Sequence, residues 1–252
     1  MIPRVLVTGA GGLLGRACVA HGAVGLTRAD CDVTSLAARD LVLDNHQPDF
    51  VVFCAAYTEV DTADHEEAWR VNVEAPAHWA REVPVVLVSS NYVFSGAGPH
   101  RVDAAREPLQ SYGVQKRAAE DAVLASGGRV VRTGWLFGKG GKNFPSSLPR
   151  RLREGPVRAI SDVIVQPTYC DDLAEYLFRA PEGVSHAIGS EETTWYLFAR
   201  AVAACLGLAV DIEAIGHSGL VSDVIRPPDA RLYPARLPGW SSRLSAFLGA
   251  GG

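Results

Sequence analysis

The sequence predicts an α/β protein: a doubly wound parallel sheet with a small C-terminal lobe. Three observations carry this. Short β-branched runs alternate with helix-patterned segments through the first half of the chain, a glycine-rich turn joins the first run to the first helix, and after Gly134 the texture becomes irregular and rich in Gly, Pro, Lys and Arg. Strands that alternate with helices pair in parallel through right-handed crossovers. Uninterrupted apolar strands suit a sheet covered on both faces.

The elements follow in order. Arg4-Val5-Leu6-Val7 reads as a buried strand and residues 13–21 as the helix after it; 23–27 is a second short strand and 35–45 a helix. DFVVFC (49–54) is a third strand, 61–73 a helix, PVVLVS (84–89) a strand, 111–125 a helix and RVVR (129–132) a further strand. The later part holds a helix over 193–206 and a return to the sheet near 160–177. Trp195, Tyr196 and Phe198 on the late helix read as packing for the small lobe.

Bulk properties bound the partners. The 252 residues suffice for one large domain or a domain with a lobe. A net charge of −4 gives no general attraction to nucleic acid or to an anionic membrane. The N-terminal MIPRVLVTGAGG lacks the pattern of a signal peptide, and no apolar run reaches the roughly 20 residues of a membrane span, so a cytoplasmic location is expected. Cys18, Cys31, Cys54, Cys170 and Cys205 form no CxxC pair and read as buried reduced thiols. The acidic run Asp61, Asp64, His65, Glu66, Glu67 lacks a metal-ligand spacing and reads as a solvated helix face, so no metal site is expected. Gly138-Lys139-Gly140-Gly141-Lys142 does not complete a Walker motif.

The chemistry concentrates in three places. Thr8-Gly9-Ala10-Gly11-Gly12-Leu13-Leu14-Gly15 stands between a strand and a helix, with glycines at 9, 12 and 15. This is the Rossmann-type arrangement: one glycine for the tight turn, one for approach of a pyrophosphate, one for close helix–strand packing, with the helix N-terminus supporting the negative charge. At the tip of the second strand, Arg28 stands where an acidic residue would select NAD, and so favours the 2′-phosphate of NADPH over NADH. Asp32 and Val33 follow at the expected place of the adenine.

The second place is Tyr112-Gly113-Val114-Gln115-Lys116, whose i, i+4 spacing puts tyrosine and lysine on one helix face. A phenol of pKa about 10 is a poor acid–base at neutral pH, and the lysine ammonium is expected to lower it. The third is Ser89-Ser90-Asn91-Tyr92 after PVVLV: Ser90 lies at the carboxyl end of a strand, where ligands bind in open α/β sheets. Glycine turn, strand-end serine and YxxxK in this order point to carbonyl reduction by NADPH, with Tyr112 as proton donor, Lys116 as its modulator and holder of the nicotinamide ribose, and Ser90 bound to the carbonyl oxygen. The chain then divides into an NADP-binding Rossmann domain, 1–135 and 158–180, and a substrate-binding lobe, 136–157 and 181–252.

These residues resemble the extended short-chain dehydrogenases, and more closely the dTDP-4-dehydrorhamnose reductase family. VVFCAAYTEVDTADHEEAWRVN, SSNYVFSG, RTGWLFGKGGKNF, QPTYCDDLA and RPPDARL carry the resemblance in the same order along nearly the whole chain. It implies a 4-ketoreductase of a nucleotide-linked 6-deoxyhexose. It also implies that Gly12, Leu13 and Leu14 face the pyrophosphate, that Cys54, Ala55 and Thr58 line the cofactor, and that Val60, Asn91, Tyr92 and Trp135 border the sugar. Lys139, Lys142 and Arg226 are further candidates for a nucleotide diphosphate. The chain departs from the family pattern at Ser90, where Thr is usual, and at Asn91, where Asp is usual. It is also shorter before Pro84 and after Asn143. Two other readings stay open: a ketoreductase for another natural-product intermediate, and a non-catalytic NADP-binding regulatory subunit, against which the complete Ser90, Tyr112, Lys116 set argues. The oligomeric state is open, a homodimer included.

Overall fold

The structure is a computed structural model and describes residues 3–219, 224–227 and 229–249. The ends of the expected domain and lobe, and Pro228 of RPPDARL, lie outside the described residues. The chain runs β1 (Val5–Thr8), α1 (Leu13–Ala20), β2 (Val24–Leu26), α2 (Leu36–His46), β3 (Phe50–Phe53), α3 (Glu66–Trp69), α4 (Ala75–Ala80), β4 (Val85–Ser90), α5 (Ser111–Ala125), β5 (Arg129–Thr133), β6 (Leu136–Phe137), α6 (Phe144–Glu154), β7 (Val157–Ile160), β8 (Thr168–Tyr169), α7 (Cys170–Leu177), β9 (Val184–His186), α8 (Trp195–Cys205), β10 (Ile212–Ile215) and α9 (Leu244–Leu248).

Six strands form the main sheet in the order β2-β1-β3-β4-β5-β9, all pairs parallel. Period-2 alternation sends successive side chains to opposite faces. Val5, Val7, Val52, Val86 and Val131 join α1 and α7 in one core, while Leu6, Val51, Phe53, Val85, Leu87 and Val130 join α2, α4 and α5 in the other. Two covered faces are why these strands carry no polar alternation, and they make the sheet doubly wound, of Rossmann type. The strand order reverses between β1 and β3. Ligands of such sheets bind outside the carboxyl ends of the strands at that switch point.

Local chemistry sets the helix starts. Ser35 caps α2 by accepting from Ala38 N at 3.3 Å, and Asn143 and Thr194 cap α6 and α8 in the same way. The helix expected over 61–73 is broken into a 3₁₀ turn (Val60–Thr62), α3 and a π-helical turn (Arg70–Glu74) that runs on into α4. The side chain of Asn72, inside that π turn, is bonded to the backbone of Tyr57 rather than pointing to solvent.

The later half departs from the sequence expectation. The return to the main sheet expected near 160–177 is made there by α7, which packs on the sheet beside α1, and the sheet is then completed by β9, which pairs with β5 although it falls within the expected 181–252 lobe. β7 pairs with β10, and β6 with β8, in two small parallel sheets of their own. Val157 and Ala159 bury into an aromatic core with Phe137, Phe198, Trp195 and Phe247, and this core holds β7 away from the main sheet. Cys18, Cys31 and Cys170 are buried as expected, but Cys205 at the end of α8 is exposed.

Candidate active site

A cleft of about 1220 Å³ runs along the carboxyl ends of β1 to β5 and is closed on one side by α6 and the start of α8. That exceeds the roughly 300–1,000 Å³ of a pocket for one small ligand. Gly9, Gly12, Leu13, Leu14, Gly15, Arg28, Asp32, Val33, Cys54, Ala55, Thr58, Val60, Ser90, Asn91, Tyr92, Tyr112, Lys116, Trp135 and Lys142 all line it. Lys139 is exposed and is not part of the lining.

The glycine turn shows why these positions exclude side chains. Gly12 N donates to Gly9 O at 2.9 Å, closing the turn. Gly9 has φ +69, and a Cβ there would lie 2.8 Å from Ala55 N. A Cβ on Gly15 would collide with the Gly9 carbonyl and lie 2.8 Å from Ala10 Cα, whereas Gly11 faces open space. α1 begins at Gly12 with no side-chain cap, so its first amides are left for an acceptor outside the helix. Ala55 N donates to Thr8 Oγ1 at 3.2 Å and ties the ends of β1 and β3 together.

The nucleoside end is charged. Asp32 accepts from Thr34 N at 3.0 Å and Thr34 Oγ1 at 2.8 Å, and these bonds hold its carboxyl below the usual range. Arg28 is largely exposed, with Nη2 3.3 Å from Glu67 Oε1. Arg70 lines the same end and, like Arg28, acts on Asp32. Pattern reading did not single out Arg70, because an isolated arginine on an acidic helix carries no local signal. Arg16 was missed for the same reason; its guanidinium joins the carbonyls of Gly11 and Gly140 and so ties the glycine turn to the loop before α6.

The candidate catalytic residues Ser90, Tyr112 and Lys116 come together in the cleft. Ser90 is 8% exposed and accepts from Tyr92 N at 3.1 Å. Its hydroxyl donates to Asn91 Oδ1 at 3.4 Å, and a side-chain hydrogen bond with Tyr112 eases a pKa that burial, with Tyr92 adding to it, pushes up to about 12. Lys116 Nζ donates to Val88 O at 3.1 Å and lies 5.8 Å from the Tyr112 ring centroid. Here the expectation that lysine lowers the tyrosine pKa is corrected. Burial brings Lys116 itself down to about 8, against the opposing pull of Cys54 and Glu120, and it is the serine hydroxyl that favours the phenolate.

The sugar-side candidates differ in kind. Trp135 holds a left-handed backbone (φ 56) and meets Tyr92 at 6.0 Å and Trp195 at 5.7 Å, edge to face. Phe144 adds a further ring, 5.8 Å from Trp195. Trp195, read from sequence as lobe packing, is therefore also cleft wall. Asn91 is spoken for on one side, since its Nδ2 donates to Ala230 O at 2.9 Å. Arg226 Nη2 donates to Asp61 Oδ1 at 2.6 Å and its guanidinium bonds to Tyr92. The acidic run is only partly a solvated face: Asp61 and Glu67 pair with arginines, and His65 caps α3 through Nδ1.

Comparison with known proteins agrees with this geometry. The family model described as the RmlD substrate binding domain matches residues 3–239. The dTDP-4-dehydrorhamnose reductase of Streptomyces griseus is 40% identical over 233 residues, covering 81% of this chain and 77% of that protein. The dTDP-4-keto-6-deoxy-D-glucose reductase of Streptomyces niveus is 37% identical over 231 residues, covering 82% and 80%. Among solved structures, the dTDP-4-dehydrorhamnose reductase of Bacillus anthracis in complex with NADP superposes with a TM-score of 0.91 at 25% identity, covering 100% of both chains.

Proposed function

The chain belongs to the RmlD substrate binding domain family, and on that premise we propose that it is an NADPH-dependent ketoreductase acting on the 4-keto group of a nucleotide-linked 6-deoxyhexose. The observation that carries this reading is the meeting of the glycine turn with Ser90, Tyr112 and Lys116 in one cleft. Bound NADPH supplies the hydride that reduces the carbonyl carbon.

Every other task falls to the chain's own residues. Gly9, Gly12, Leu13, Leu14 and Gly15 would hold the pyrophosphate, and crowding against backbone at Gly9 and Gly15 keeps that turn free of side chains. Arg28 would take the 2′-phosphate, Asp32 and Val33 the adenosine, and Cys54, Ala55 and Thr58 the remaining cofactor wall. Cys54 keeps its proton, because bonding to Cys18 and burial push its thiol well up, so it serves as a small neutral wall. Tyr112, with its pKa pushed up to about 12, is a phenol at neutral pH and so carries the proton that the carbonyl oxygen needs. Ser90 orients that oxygen. Lys116 is charged below about pH 8 and would hold the nicotinamide ribose. Val60, Asn91, Tyr92 and Trp135 border the sugar, and Lys142 is the basic residue of the lining best placed for a diphosphate.

The labour divides broadly between the main sheet, which with α1, α5 and α7 would carry the cofactor residues, and the aromatic core around Phe137, Trp195 and Phe198, which with Trp135 would wall the sugar beside Val60, Asn91 and Tyr92. Among the described residues no helix is long and apolar enough to cross a membrane. A cytoplasmic location goes with a reaction that draws on NADPH, and sizing of the purified protein tests whether it forms a homodimer. The deciding experiment follows NADPH absorbance with a dTDP-linked 4-keto-6-deoxyhexose made in situ. Consumption that requires the sugar is expected; NADPH binding without consumption overturns the substrate assignment.

A further inference from the structure

We propose that Gln115 is a positioning residue for this reaction: its side-chain amide bridges the helix bearing Tyr112 and Lys116 to the cleft loop after β3, and so sets the spacing between the proton donor and the cofactor wall. The inference rests on the reductase reading above.

Gln115 lies between Tyr112 and Lys116 on α5 and is 3% exposed. At about 100° per residue, Tyr112 and Lys116 share the cleft face, while Gln115 lies about 60° round the helix. There it meets the π-helical turn. Its Oε1 accepts from Asn72 Nδ2 at 2.7 Å, and its Nε2 donates to Ala63 O at 2.6 Å. Asn72, 1% exposed, in turn holds both backbone groups of Tyr57: Oδ1 accepts from Tyr57 N at 2.8 Å and Nδ2 donates to Tyr57 O at 3.0 Å.

The chain of bonds admits one orientation only. Tyr57 N can only donate, so it fixes Asn72 Oδ1; Asn72 Nδ2 then fixes Gln115 Oε1, and Ala63 O, which can only accept, fixes Gln115 Nε2. Ala55, Ala56, Tyr57 and Thr58 line the cleft, and Ala55 and Thr58 belong to the proposed cofactor wall. The loop and the catalytic helix are thus one unit joined through a buried amide pair. A π turn commonly marks a functional position, and here it carries the residue that grips the loop. An apolar side chain at 115 would take from Ala63 O one of its two donors, leaving only His65 N, and would leave the Asn72 amide half-satisfied, in a buried site where such loss is costly.

The test uses Gln115→Met, which keeps length and loses both polar ends, together with Asn72→Ala and the double variant. NADPH affinity is read by fluorescence titration, and kcat and both KM values by turnover, well below the melting temperature. Gln115→Met is expected to weaken NADPH binding and lower kcat by about tenfold each, as slight misplacement of reacting groups does, while the ketone KM stays within about twofold. The double variant is expected to lose no more than the worse single one, because the two amides act as one bridge. Unchanged NADPH affinity and kcat in folded Gln115→Met, or a double-variant loss equal to the product of the singles, overturns the proposal. Gln115→Ser, which carries the same expectations, stands in if the methionine variant does not fold. Binding of NADPH is read whether or not the ketone is reduced, so a wrong substrate leaves this test intact, and wild-type protein that binds no NADPH overturns both readings.

Discussion

The two walls of the cleft are built differently. On the cofactor side each contributor follows directly from a strand of the main sheet: Gly9 after β1, Arg28 after β2, Cys54 after β3, and Ser90 as the last residue of β4. On the substrate side Trp135, Phe144 and Trp195 come from three separate elements and meet edge to face. The fold that supports them depends on pairing Val157 with Ile212 across the lobe. The first wall repeats one local device, strand then turn, and is least tolerant of change where backbone approaches backbone, as at Gly9 and Gly15. The second is held by side-chain contact, so its losses should be graded and should fall on the ketone rather than on the cofactor.

Five variants sharpen that contrast. Tyr112→Phe removes the proton donor shared by both walls; turnover should fall about 10² or more with NADPH affinity kept, and unchanged turnover would remove Tyr112 from the chemistry. Gly15→Ala forces a methyl against the Gly9 carbonyl and should weaken NADPH binding by about 2 kcal/mol, roughly thirtyfold. Gly11→Ala, whose methyl meets no protein atom though it faces the cleft, should keep the wild-type melting temperature while Gly15→Ala lowers it; matching melting temperatures in the two would show that crowding is not what Gly15 avoids. Trp195→Ala should raise the ketone KM about tenfold through loss of a buried ring contact and leave the NADPH KM alone, so a cofactor effect of equal size would erase the distinction between the walls. Arg28→Ala should be the mildest. Its side chain is 85% exposed and already faces Glu67, so NADPH should lose only about threefold against NADH, and an equal effect on the two cofactors would take Arg28 out of the 2′-phosphate site.

The ease of reading followed the same division. The strand runs, the turn from Gly9 to Gly15, Ser90 and the Tyr112–Lys116 pair were all visible because each is a pattern within a dozen residues whose physics is local. Trp195 and Arg70 were not seen as cleft residues, because nothing within their own segments says which cavity they border. The expectation for 160–177 held for α7 and missed β7 and β9 on the same ground. Val157–Ile160 looks like any buried strand, and only the aromatic core around Phe137 and Phe198 determines which sheet it joins.

What the sequence alone determined is the alternation of strands and helices through β5, the two-faced burial of the sheet, and the candidate groups for action on a carbonyl. Apolar periodicity, glycine geometry and helix spacing are properties of neighbouring residues. The tertiary structure alone decided how those groups are tuned: that burial takes Tyr112 up to about 12 and Lys116 down to about 8, that Ser90 rather than Lys116 eases the phenol, and that Gln115 and Asn72 close a bond chain between α5 and the loop at Tyr57. Desolvation and hydrogen bonding depend on which atoms surround a group in space, and here those atoms come from parts of the chain far from it in sequence.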